Sequence, residues 1–156
     1  MYDIKKAAVL GSGVMGAAIA AHLANAGLLV TLLDIVPNEP TTEEAAKGLT
    51  IEDRAVRDRF VQSARDKMTN PRAMLLYEPK FIRRLRFGNL EDDLELLRDA
   101  DWVVEVVVEN LDIKQKLLQK IEPFLKSGTI LSTNTSGISV NALAKALPTS
   151  RQKNFM

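Results

Sequence analysis

The sequence predicts an alternating α/β domain: a doubly wound parallel sheet with helices on both faces and an inserted helical segment after the second strand. Three observations predict it. Short apolar runs recur at 5–10, 28–34, 101–108 and 129–132, with helical patterns between them. The first two runs bracket an Ala-rich stretch that opens on Gly11, Gly13 and Gly16. The 156 residues are 46% hydrophobic and 26% charged, enough apolar material for one domain with a packed core.

Each element has its own warrant. The first strand covers about 5–10, with Ala7-Ala8-Val9-Leu10 as its apolar body. Gly11-Ser12-Gly13-Val14-Met15-Gly16 turns the chain into a helix over about 14–26, which Gly27 stops as a left-handed cap. The second strand, 28–34, ends in Asp34. Pro37 and Pro40 break the chain, and Thr41-Thr42-Glu43-Glu44 reads as a helix start with acids in its first turn. Residues 52–69 read as one charged amphipathic helix with Ala55, Val56, Phe60, Ser63, Ala64 and Lys67 at helical spacing, ended by Asn70-Pro71. A short helix near 72–76, a strand near 84–87 and a short helix over 91–97 follow. The β-branched density of 101–108 predicts a buried strand. Asn110 caps the next helix, whose Ile113, Leu117, Ile121 and Phe124 form an inward stripe; Gly128 closes it. A strand at 129–132, a helix at 140–147 and a strand beginning at Asn154-Phe155-Met156 complete the pass. Trp102, Tyr77, Phe60 and Phe124 are read as core rather than as a stacking platform.

Strand, Gly-x-Gly-x-x-Gly turn, helix, strand and acid occur in the order of a dinucleotide-binding fingerprint. Gly11 permits the tight exit from the strand. Gly13, lacking a Cβ, lets backbone approach a pyrophosphate, and Gly16 lets helix and strand pack closely. The free N–H groups at the helix start near Val14 face the anion. Asp34, 18 residues past Gly16, is placed to accept hydrogen bonds from a ribose 2′-hydroxyl and to repel a 2′-phosphate; as a bland alternative it is a strand-end turn residue. No Arg or Lys occurs at 35–39, which favours NAD over NADP.

Composition excludes several classes. Zero cysteines exclude disulfides, thiolate nucleophiles and Cys-ligated metal, and a single histidine, His22, excludes a His-rich metal site within the chain. No run of ~18 apolar residues suggests a membrane span. The N-terminus reads without a signal peptide, so the expectation is a cytoplasmic protein. Net charge is +1, but residues 54–86 hold ten basic side chains against Asp58, Asp66 and Glu78, making that segment +7 and the remainder −6. Such asymmetry suggests either an anionic partner or a solvated helix face.

Ligands in these sheets bind at the carboxyl ends of the strands. Three segments converge there: the glycine turn, Val108-Glu109-Asn110, and Ser132-Thr133-Asn134-Thr135-Ser136. The last offers hydroxyl and amide donors, or reads as a helix-capping turn. Val9-Leu10-Gly11-Ser12-Gly13-Val14-Met15-Gly16, Val107-Val108-Glu109-Asn110 and Asn134-Thr135-Ser136 together resemble the Rossmann-like NAD-binding domain of 3-hydroxyacyl-CoA dehydrogenases, over essentially the whole chain. The stretch 37–44 with 52–57 is similar to the long multidomain bacterial members of fatty-acid β-oxidation.

The resemblance implies oxidation of a 3-hydroxyacyl-CoA to a 3-oxoacyl-CoA, with NAD as cofactor. It implies that Gly11, Ser12, Gly13, Val14, Met15 and Gly16 hold the pyrophosphate and Asp34 the adenosine ribose. Glu109 and Lys114 would reach the nicotinamide end, and Ser136 would act catalytically between nicotinamide and the substrate's 3-hydroxyl. Ser63 and Lys67 fall where family members contact coenzyme A, which is polyanionic. In the family, the catalytic His follows in a Gly-x-His-Phe-Phe-Asn-Pro segment, with its orienting Glu beyond. The chain stops at Met156, where that segment should begin. The expectation is therefore an N-terminal domain, 1–156, without the catalytic His and Glu and without the helical substrate and dimerisation domain. His22 lies within the first helix and is read as a plain helix residue. Three rival readings stand beside this one: the NAD-binding domain of another hydroxyacid dehydrogenase, a non-enzymatic dinucleotide-sensing module, and nucleic-acid binding through the +7 segment, which is not expected.

Overall fold

The computed structural model describes residues 3–156. Five parallel strands form one sheet: β1 (Lys6–Leu10), β2 (Leu29–Asp34), β3 (Leu85–Asn89), β4 (Trp102–Glu105) and β5 (Ile130–Thr133), in the order β3-β2-β1-β4-β5. The order reverses at β1, so the crevice above the β1–β4 junction is where a ligand is expected. Four consecutive residues of β1, Ala7 to Leu10, are buried, as a strand covered on both faces requires.

Helices α1 (Val14–Asn25) and α4 (Arg59–Thr69) cover one face. There Ala17, Ala20, Ala21, Ala24, Val61, Ala64 and Met68 pack on Val9, Val30, Leu32 and Val104. The alanines keep α1 close to the sheet. Gly27 ends it in the left-handed region at φ 102°, with Leu28 N–H returning to the Leu23 carbonyl. The other face is covered by α5 (Leu111–Ile121) and α6 (Val140–Ala144), with Leu117, Leu118, Ile121 and Leu143 against Leu10, Leu33, Val103 and Leu131. Asn110 caps α5 through its side chain to Ile113 N–H, and Thr41 with Glu44 closes a reciprocal cap on the short α2 (Thr42–Ala46). Phe155 bridges Leu131 in parallel, continuing the sheet beyond β5.

Several expectations are corrected. Residues 52–69 are not one helix: α3 (Arg54–Arg57) and α4 meet at a break at Asp58. The buried Asp58 carboxylate is drawn inward by Asn89 Nδ2 and Arg54 Nε. The inner face of α4 is Val61, Ala64 and Met68, while Phe60, Ser63 and Lys67 point outward. The stripe on α5 is also rephased: Ile113 is exposed and Lys114 is buried in its place. Residues 72–76 form no helix: a turn at 71–73 leads into irregular chain with Met74 at φ 50°, and a 3-10 helix follows over Pro79–Arg84. The helix expected over 91–97 is a 3-10 turn at Leu94–Leu97. The strand expected through 108 ends at Glu105, because Val107 N–H turns back onto the Glu105 carboxylate. Tyr77 is 76% exposed and Phe60 sits at the surface beside the Arg59 guanidinium, so neither is core. Trp102 is partly buried, its indole N–H on Ser132 Oγ at 2.9 Å, and Phe124 packs partly buried on the second core face. A short α7 (Thr149–Gln152) completes the elements.

Candidate functional site

The carboxyl ends of β2, β1, β4 and β5 present, in that spatial order, Asp34, the glycine turn, the Val106–Asn110 loop and the Asn134–Gly137 loop. Neighbouring strands lie about 4.8 Å apart, so the row is long enough for an extended dinucleotide.

The three glycines have distinct duties. Gly11 sits at φ 105°, and a Cβ there would lie 2.5 Å from the Val106 carbonyl oxygen. It is therefore both a left-handed turn and the contact between the loops of β1 and β4. At Gly16 a Cβ would fall 1.9 Å from the Gly11 carbonyl oxygen, so helix and turn touch backbone to backbone. At Gly13 a Cβ would meet nothing within 4 Å. Space is left open where a ligand must come close. Gly13 also caps α1 without any side-chain hydrogen bond, leaving the first N–H groups of the helix free for an anion. Val14 and Met15, 84% and 55% exposed, stand at this opening. A pyrophosphate fits the turn.

Ser12 is buried, and its backbone N–H and Oγ donate to Asp34 Oδ2 at 2.7 and 2.5 Å. Asp34 Oδ1 accepts from Ile35 N–H at 2.7 Å. The carboxylate is thus oriented by the turn itself and remains partly exposed, with capacity for a ribose hydroxyl.

On the far side of the turn, Glu109 Oε1 receives Ser136 N–H at 3.0 Å, Gly137 N–H at 2.9 Å and the Thr135 hydroxyl. Those hydrogen bonds, led by that of Thr135, hold its carboxyl down to about 2. Glu109 therefore joins the β4 loop to the β5 loop and fixes exposed Ser136 at the end of the row. Lys114 is placed differently from the expectation. Its side chain is fully buried, with Nζ 2.8 and 2.9 Å from the two oxygens of Glu105 and 3.4 Å from Glu109 Oε2. It reaches the surface only through Glu109. A charged residue inside an apolar strand gives no periodic signal, so sequence reasoning does not single out Glu105; the signal that could have found it is the spacing Lys114-Leu117-Leu118-Ile121, which puts a lysine on the inward face and asks for a buried partner.

Ser63 and Lys67 are exposed one turn apart on α4 and make no hydrogen bond to the residues of this row, and His22 is exposed in the last turn of α1, at the opposite end of the sheet. Among the described residues, no helix is long and apolar enough to cross a membrane.

Residues 6–156 match the family model described as 3-hydroxyacyl-CoA dehydrogenase, NAD binding domain. The chain is 49% identical over 153 residues to a Bacillus subtilis protein named "Probable 3-hydroxyacyl-CoA dehydrogenase", covering 98% of the chain and 19% of the relative. It is 35% identical over 156 residues to a fatty acid oxidation complex subunit alpha of Pseudomonas putida, again 19% of that protein's length. The crystal structure of an (S)-3-hydroxybutyryl-CoA dehydrogenase from Ralstonia eutropha superposes with a TM-score of 0.69 at 26% identity, over 98% of this chain and 48% of that one. The chain thus spans about a fifth of the length of the first two relatives.

Proposed function

The chain belongs to the family of NAD-binding domains of 3-hydroxyacyl-CoA dehydrogenases, and from that premise we propose that it holds the cofactor for oxidation of a 3-hydroxyacyl-CoA to a 3-oxoacyl-CoA in cytoplasmic fatty-acid β-oxidation. The observation that carries the reading is the ordered row of Asp34, the Gly11–Gly16 turn, Glu109 and Ser136 along the strand ends. NAD, when bound, supplies a hydride acceptor.

Each residue has a part in that reading. Gly11, Ser12, Gly13, Val14, Met15 and Gly16 form the turn that holds the pyrophosphate; the N–H groups of Gly11 and Ser12 are already committed to the Leu33 carbonyl and the Asp34 carboxylate, so the donors are those at the start of α1. Asp34 accepts from the adenosine ribose. Glu109 orders the loop that carries Ser136, whose hydroxyl hydrogen-bonds the substrate's 3-hydroxyl oxygen. As the C3–H bond breaks with its electron pair leaving as hydride, the hydroxyl proton must go to a base. His22 stands at the wrong end of α1 for this. The base is the imidazole that the family pattern carries in a Gly-x-His-Phe-Phe-Asn-Pro segment, oriented by a Glu. A helical domain closes the substrate cleft and forms the dimer. Residues 1–156 are the NAD-binding unit of that assembly, with coenzyme A phosphates on Ser63 and Lys67.

Two measurements test the reading together. Calorimetry is expected to show tighter binding of NAD than of NADP, with Asp34→Ala narrowing the gap; equal affinities in the unaltered chain would overturn it. NADH formation from 3-hydroxybutyryl-CoA is expected at background with residues 1–156 alone, since a positioned base contributes ~10²–10⁴-fold. It should appear when these residues are followed by the His-bearing segment and helical domain. Enzyme-like turnover by the 156 residues alone would mean that the base is misassigned.

A further inference from the structure

Glu105 and Lys114 form the one ion pair among the described residues in which both side chains are completely excluded from solvent. Glu105 is the last residue of β4, on the face covered by α5. Its carboxylate takes both contacts from Lys114 Nζ, a hydrogen bond from the Thr133 hydroxyl on β5, and one from Val107 N–H at 2.7 Å. One buried group therefore ties together β4, β5, α5 and the loop leaving β4. Stability alone is a poor reason for such a pair, because the desolvation of two charges offsets much of their attraction, and apolar side chains of like volume often do as well.

The pair also has a direction. Lys114 Nζ lies 3.3 Å from the Val107 carbonyl oxygen and 3.4 Å from Glu109 Oε2. The other oxygen of Glu109 holds the hydroxyl of Thr135 and the N–H groups of Ser136 and Gly137. The ammonium thus stands between an interior and a surface carboxylate, and the interior one fixes its place.

We propose that Glu105 is a positioning residue for the nicotinamide end of the site. It fixes Lys114, Lys114 fixes the Glu109 carboxylate, and Glu109 fixes the 135–137 loop and the Ser136 hydroxyl. This rests on the reading that Glu109 and Ser136 flank the nicotinamide. Glu105, fully buried, touches no cofactor. Without its charge the buried ammonium has only Glu109 and the Val107 carbonyl to turn to, and drawing Glu109 inward takes its other oxygen off the loop.

The test compares NAD with ADP-ribose, which has both riboses and the pyrophosphate but no nicotinamide. In the 156-residue chain, Glu105→Gln is expected to weaken NAD by about tenfold, the size of a lost charged hydrogen bond, and to leave ADP-ribose unchanged. In the free protein, the amide NMR signals of Ser136 and Gly137 should move while those of Gly13 and Val14 stay. Equal losses for both ligands, an unchanged NAD affinity, or unmoved Ser136 and Gly137 signals would each overturn the proposal. If Glu105→Gln does not fold, Glu105→Leu with Lys114→Met removes both charges at similar volume and should give the same NAD-selective loss; a folded double variant without that loss is equally fatal. A parent chain that binds neither ligand defeats the cofactor reading instead, and the amide signals then decide the relay alone.

Discussion

Gly13 and Gly16 lie in one turn and lack side chains for opposite reasons, and the difference can be measured. A methyl at Gly16 would overlap the Gly11 carbonyl at 1.9 Å, and the obstacle is backbone that cannot rotate away. A methyl at Gly13 points into open space, and its φ of −60° suits any residue. Gly16→Ala should therefore destabilise the fold by about 3 kcal/mol, at the upper end of overpacking costs, as read from denaturant midpoints. Gly13→Ala should leave that midpoint unchanged while strongly weakening NAD binding. A stable Gly16→Ala protein, or a Gly13→Ala protein that binds NAD normally, would contradict the assignment. At this scale, the residues legible in sequence are those whose duty is local. The glycines answer to the turn that contains them, and Asp34 to the strand end that it terminates. Ser12 was legible only as part of the turn; its second role, orienting Asp34, needs β1 and β2 side by side. Glu105 was not legible because its partners come from α5, β5 and the following loop.

At the scale of elements, type was more legible than phase. The strands follow from dense β-branched and aliphatic runs. Of the two amphipathic helices, the one expected over 52–69 is split at Asp58 and its longer part, α4, is turned, while α5 lies where expected but is turned by a lysine at a core position. Both errors share a cause: a charged side chain bound to a buried partner counts as surface in any periodic reading. Asp101 shows how such groups also set the response to acid. Its Oδ2 accepts from the N–H groups of Lys5 and Lys6 at 2.9 Å each, and its Oδ1 from Lys126 Nζ, fastening the start of β1 to the start of β4. The Lys126 hydrogen bond first, then the two backbone donors, hold its carboxyl at about 2 against an ordinary 3.8. A carboxyl lowered in the folded state stabilises the fold above its unfolded value and loses that contribution as pH falls through the folded one. Asp101→Asn should therefore flatten the decline of stability between pH 4 and pH 2, as followed by urea midpoints at stepped pH. An unaltered acid limb would show that the carboxylate is not coupled to folding.

Over the whole molecule, folding cancels part of the charge asymmetry of the sequence. Arg54 pairs with Asp58 and Asp93, Arg57 with Asp92, and Arg59 with Glu44, so acids from the negative remainder neutralise the first part of the +7 segment. The Arg57 hydrogen bond, the largest influence on Asp92, helps hold that carboxyl near 2. Arg84 is committed to the Ala24 carbonyl and the Phe81 ring. What remains positive is spread out: Arg65 and Lys67 on α4, Arg72 in the turn that follows it, and Arg83 and Arg86 at the end of the sheet opposite the glycine turn. Among the described residues the unpaired basic side chains are thus not gathered on one element, whereas duplex nucleic acid asks for many phosphate contacts along a continuous surface. Lys67, one turn from the Ser63 hydroxyl on the exposed side of α4, suits a small polyanion better, and coenzyme A is one. Titration with coenzyme A should shift the amide signals of Ser63 and Lys67 while sparing those of Arg83 and Arg86. Lys67→Ala should weaken the binding by up to about fivefold, the scale of an exposed ion pair of ~1 kcal/mol. Shifts confined to Arg83 and Arg86 would move the substrate's phosphates to the other end of the sheet. Tight, salt-sensitive duplex binding with no response to coenzyme A would restore a nucleic acid as the partner of the basic segment.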